Sequence, residues 1–179
     1  MSLFLFDKIK GGNKNEFANK VKLIAQNLGI KADWLMIVMN FESGINSKAV
    51  NSTSGATGLI QFIPPTAKAL GTTTTDLYNM TNVQQLDYVY LYLSKYKGKL
   101  NNLSDLYLAI FYPNAIGKSD DYILGTTEEN KKLIAKQNAI LDTNKDGYIQ
   151  KKEVVNYINN YANKLGYSTS LNFGVEKKN

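Results

Sequence analysis

This sequence predicts a mainly helical protein, on three observations. Apolar residues recur at helical spacing along most of the chain. The segment from Trp34 to Phe41, WLMIVMNF, is apolar at seven of its eight positions, too hydrophobic for a surface helix. Near the C-terminal end, a polar twelve-residue loop is flanked on both sides by apolar stretches of helical period. A chain of 179 residues with 44% apolar content suits one domain with a normal core, or one domain carrying a small appendage. No apolar run approaches the length of a membrane span.

The elements follow in order. Asn15 to Leu28 places Phe17, Val21, Ile24, Ala25 and Leu28 on one face, with Gly29 as its C-terminal cap. Asp33 is the expected N-cap of the apolar helix, which ends in Glu42. The polar stretch from Ser43 to Thr57 reads as a loop wall or short hairpin. Pro64 and Pro65 open a short helix stopped by Gly71. Val83, Leu86, Val89 or Tyr90, and Leu93 mark a longer one. Ser104 is the expected cap of the next, in which Leu106, Leu108, Ala109 and Ile110 precede the stop at Pro113. Two further helices flank residues 142–153. The expected division is a helical core over 13–125 and a helix-loop-helix over 126–167 packed on it.

Glu42 is the most informative single residue. Counted from Leu35 at helical spacing, Val38, Met39 and Glu42 fall on one stripe, so an apolar face ends in a carboxyl group. Burial disfavours the ionised form and lets a glutamate donate a proton near neutral pH. That is the property required of a general acid at a glycosidic oxygen. The alternative is a frayed helix end with the carboxyl in solvent.

Composition removes competing chemistries. There is no cysteine and no histidine, which excludes thiol nucleophiles, disulfides, Ser-His and Cys-His catalysis and His-ligated zinc. The net charge of +6 comes entirely from lysine, which suits diffuse attraction to a polyanion better than bidentate recognition. No basic stripe interleaved with aromatics points to nucleic acid. Leu3-Phe4-Leu5-Phe6 is too short for the apolar core of a signal peptide.

The residues after Glu42 sharpen the reading. Glu42-Ser43-Gly44, then Asn46, a small polar loop, Gly58-Leu59-Ile60-Gln61, and Pro65-Thr66-Ala67 follow one another within about 26 residues. In that order they resemble the signature of soluble lytic transglycosylases and goose-type lysozymes. Tyr112-Pro113-Asn114-Ala115 is similar to a later segment of the same family, with Pro113 interrupting the usual Tyr-Asn pair. The resemblance implies a lysozyme-like helical domain acting on peptidoglycan glycan strands. In it, Glu42 is the acid/base, Ser43 orients that glutamate or the sugar, Gln61 lines the sugar groove, and Tyr112 faces the catalytic carboxyl. Two readings of Tyr112 stand, groove residue or core aromatic, because proline forces an extended backbone before it. For Gln61 a polar turn residue is the alternative.

The resemblance implies action at the bacterial cell wall. With no signal peptide visible, a phage particle or another export route is the expected path there. Hydrolysis with inversion needs a second carboxylate holding a water about 6.5–9.5 Å away. Ser43 to Thr57 contains no Asp or Glu. The expected product is therefore an anhydro sugar made by Glu42 alone, unless Asp105, Asp120 or Asp121 reaches in. A lysozyme-type hydrolase, a non-catalytic wall-binding or virion protein, and a calcium-dependent interaction module are the rival readings.

The second constellation is Asp142-Thr-Asn-Lys-Asp-Gly-Tyr-Ile-Gln-Lys-Lys-Glu153, which fits the twelve-residue EF-hand loop at every ligand position. Asp142, Asn144 and Asp146 supply side-chain oxygens, Tyr148 its carbonyl, and Glu153 a bidentate carboxylate, with Gly147 at the sharp turn. Ca2+ is the expected ion, in a structural role, since the chain holds no second loop of this kind. Lys145, Lys151 and Lys152 should weaken the site.

Overall fold

The helix boundaries follow local chemistry closely. A computed structural model of the chain describes residues 2–169. Contacts divide the chain into two units, Met1–Asn102 and Leu103–Asn179. The domain boundary read at 125/126 lies inside the second unit.

In the first unit, α1 (Lys14–Leu28) starts where the Asn13 side chain accepts from Glu16 N, and ends at Gly29 in the left-handed region, φ 70°. α2 (Ala32–Ser43) buries Leu35, Met36, Ile37, Val38 and Met39. It begins two residues too early for Asp33 to cap it. Lys31 holds the cap position, and Asp33 Oδ1 instead accepts from Phe4 N at 3.0 Å, tying down the N-terminal segment. α3 (Pro64–Ala69) and α4 (Thr74–Asn79) are short. α5 (Asn82–Ser94) opens on a capping box formed by Thr81 and Gln84. α1 packs against both α2 and α5, and Phe17, Leu35, Met39, Leu86 and Leu93 are fully buried in this core.

The second unit contains α6 (Leu103–Phe111), α7 (Glu128–Gln137) and α8 (Lys151–Lys164). α6 packs on α8. Ser104 lies within the first turn of α6 and is itself buried, not ahead of the helix as a cap. Short 3-10 turns occupy Pro113–Ala115 and Ala139–Leu141.

Among the described residues only isolated bridges occur, at Val50–Thr57, Thr57–Phe62 and Ile123–Gln150, so the fold is all-α as expected. No helix of the described residues is long and apolar enough to cross a membrane.

Candidate active site and carboxylate loop

Leu35, Val38 and Met39 are fully buried, and Glu42 follows them one turn on, half-buried. Burial pushes its carboxyl up to about 7. The stripe read from the sequence therefore does end in a carboxyl whose proton is held far more tightly than that of an ordinary glutamate. The helix closes at Gly44, φ 67°, where Gly44 N donates to Asn40 O at 2.9 Å and Ile45 N to Met39 O at 3.2 Å. Ile45, a β-branched residue at φ 53°, is fully buried, and burial holds it in a conformation that such side chains rarely adopt. Lys10 adds a further tie, donating from Nζ to Gly44 O at 3.1 Å.

Ser43 joins the helix end to the next loop. Its Oγ lies 3.0 Å from Met39 O and 2.9 Å from Leu59 O, and it accepts from Asn46 N at 3.2 Å. Gly58 to Gln61 form a tight turn closed by reciprocal Thr57–Phe62 bonds of 2.9 Å. Gln61 sits at φ 58°, and its side-chain Nε2 donates to Ala49 O and Gly58 O at 3.2 and 3.1 Å. The side-chain amide thus joins the backbone at Ala49 to the turn at Gly58.

Two residues of α5 escaped the sequence reading. Gln85 on α5 is fully buried, with Oε1 accepting from Leu59 N at 2.7 Å and Nε2 donating to Ser47 O and Leu77 O at 2.9 Å. It clamps the loop after Glu42, the 58–61 turn and α4 together. A Cβ at Gly58, φ 85°, would lie 2.7 Å from the Gln85 carboxamide carbon, so only glycine fits beneath the clamp. A polar residue one position before the apolar Leu86 was the available signal. Tyr92, also on α5, is buried and has its hydroxyl pushed up by burial, then by Tyr96, then by the charge of Glu42. Nothing in the sequence distinguishes it from the other tyrosines.

Tyr112 lies in the second unit, with φ −154° and ψ 82°, the extended backbone that Pro113 dictates. Its N–H donates to Leu108 O at 2.8 Å, and its hydroxyl accepts from Gly125 N at 3.1 Å. Asp105 is buried, while Asp120 and Asp121 are exposed, the latter pairing with Lys152 at 3.3 Å.

The loop from Asp142 to Glu153 gathers its carboxylates. Oxygens of Asp142, Asp146 and Glu153 lie within 4.8 Å of one another. Asp142 accepts from Asp146 N at 3.2 Å and Gly147 N at 2.9 Å. Asn144 Oδ1 accepts from Asp146 N at 3.1 Å, and Asp146 Oδ1 from Tyr148 N at 2.9 Å. Glu153 Oε2 accepts from Thr143 N at 2.7 Å, and Oε1 from Gln150 N at 3.0 Å. The Tyr148 hydroxyl donates to Glu128 at 2.9 Å, which lowers the Glu128 carboxyl and raises the tyrosine. Three like charges at this separation repel unless a cation or proton sits among them, and an all-oxygen donor set suits a hard cation. The residues present fit calcium.

Comparison with known proteins falls on the first constellation. The model of the family described as the transglycosylase SLT domain matches residues 20–135, more than half of the chain. The matched span includes Glu42, Ser43, Gln61 and Tyr112 and stops before Asp142. No curated protein matches the chain.

Proposed function

The chain belongs to the transglycosylase SLT domain family, and from that premise we propose that it cleaves the MurNAc-β-1,4-GlcNAc bond with Glu42 as its single acid/base. Membership itself implies peptidoglycan as substrate and action at the cell wall as an enzyme of lytic transglycosylase type. The observation that supports the finer reading is the place of Glu42 at the end of a buried apolar stripe, where burial pushes its carboxyl up to about 7. The carboxyl gives its proton to the glycosidic oxygen as the bond from that oxygen to C1 of the muramic sugar breaks. The carboxylate so formed then takes the proton of the muramic 6-hydroxyl, whose oxygen closes on C1. The product carries a 1,6-anhydro ring, and no water is consumed. The loop from Ser43 to Thr57, without Asp or Glu, supports this route over hydrolysis. Ser43 and Gln61 are proposed to shape the sugar groove, Ser43 by fixing the turn at Leu59. Tyr112 is proposed as a groove residue on the family resemblance.

We also propose that Asp142, Asn144, Asp146, Tyr148 and Glu153 hold Ca2+. The ion would supply positive charge that cross-links the loop, and no chemical step passes through it. Mass analysis of purified peptidoglycan after digestion tests the main reading. Anhydro-muramic ends are expected; reducing ends alone would make the protein a hydrolase, and an intact wall would leave it a binding protein.

A further inference from the structure

A short strap of chain joins the carboxylate loop to Tyr112. Leu124 N donates to Ile149 O at 2.9 Å, Lys151 N to Tyr122 O at 2.8 Å, and Lys152 N to Asp120 O at 3.0 Å. Ile149 is the eighth residue of the loop, and both it and Leu124 are fully buried. The next residue of the strap, Gly125, donates its N–H to the Tyr112 hydroxyl at 3.1 Å. Gly125 is buried at φ 124°, and a Cβ there would lie 2.6 to 2.9 Å from Lys131 Cγ and backbone. The donor is therefore fixed from two sides, by the loop through Leu124 and by the start of α7. A buried amide that loses its acceptor incurs a desolvation penalty, so the hydroxyl follows the strap.

We propose that Gly125 is the positioning residue for Tyr112, and that cation binding in the 142–153 loop is transmitted through residues 120–125 to the Tyr112 hydroxyl. This rests on the readings of Tyr112 as a groove residue and of the loop as a calcium site. It adds that the two sites are energetically linked, and linkage is reciprocal: what fixes one fixes the other. Lys151 reinforces the strap, its Nζ donating to Lys118 O at 2.8 Å.

The test is amide hydrogen exchange, resolved by residue in nuclear magnetic resonance spectra of the full chain, in chelator and in calcium. Calcium should slow exchange at Leu124 and Gly125 by roughly 3- to 10-fold, the range of one net hydrogen bond. Tyr112→Phe, which removes only the hydroxyl, should speed exchange at Gly125 in chelator. It should also erase the calcium response there while leaving that of Leu124 intact. Slowed exchange within 142–153 without change at Gly125 would overturn the link and leave the calcium reading standing. Unmoved amides throughout 142–153 would overturn both. An unchanged Gly125 rate in Tyr112→Phe would overturn the positioning role, whatever the variant does to peptidoglycan.

Discussion

Glu42 and the 142–153 loop both depend on carboxyl groups, yet they are handled in opposite ways. Glu42 ends an apolar stripe, and loss of water raises it to about 7. Asp142, Asp146 and Glu153 crowd within 4.8 Å, with Asp146 exposed and their oxygens covered by backbone amides of the same loop. In the proposed reading, one group serves as a proton donor because it is isolated, and the others serve as cation ligands because they are assembled. The first arrangement depends on distant parts of the chain, Gln85 above all, whereas the second is almost complete within its own twelve residues. Sites of the first kind should be vulnerable to packing changes far away in sequence, and sites of the second kind only to local ones.

The sharpest break is Glu42→Gln. The amide keeps the shape and loses the proton, so turnover should fall by about 10²–10⁴-fold while the melting curve persists. Full turnover by the folded variant would remove Glu42 from the chemistry. Next in size is Gly58→Ala, which forces a methyl against Gln85 and a side chain into the left-handed region. Strain and overpacking together should destabilise by about 3 kcal/mol, read in urea unfolding. A Gly147→Ala change, with nothing near its Cβ, should destabilise less. Comparable losses from the two would erase the contrast between distant and local support.

Calcium comes third. At one hundred times its dissociation constant it should stabilise by about 2.7 kcal/mol, raising the melting temperature, and Asp142→Ala with Glu153→Gln should abolish the rise. Equal melting temperatures in calcium and chelator would refute an occupied loop. The smallest effect is on pH. A carboxyl raised from 4.5 to about 7 contributes stability that is fully present below pH 4.5 and lost as pH rises through 7. Wild type should thus lose stability relative to Glu42→Gln between pH 5 and pH 8, and its turnover should decline above about pH 7. Parallel pH profiles of the two melting temperatures would show that Glu42 is not desolvated.

What could be read from the sequence divides along the same line. The apolar stripe, the Gly29 cap and the carboxylate loop depend on neighbours within a few turns, so spacing alone revealed them. Asp33 and Ser104 looked like caps because their residue types favour caps. Tertiary partners decided otherwise for Asp33, which binds Phe4 N, and α6 starts before Ser104. Gln85 and Tyr92 were invisible because their importance comes from what α5 is folded against. Pro113 gave a legible backbone at Tyr112 but no hint that the Gly125 amide would donate to its hydroxyl.

The three hydrogen bonds of Gln85 also bear on how the enzyme should fail when heated. Ser47, Leu59 and Leu77 find their partner only once α5 has docked, so the ground around Glu42 cannot form ahead of the core. Catalytic competence and the folded core should therefore be gained and lost in one cooperative step. Heat inactivation should track global unfolding without a compact, inactive species preceding it, and protease should find no early cut between residues 43 and 62.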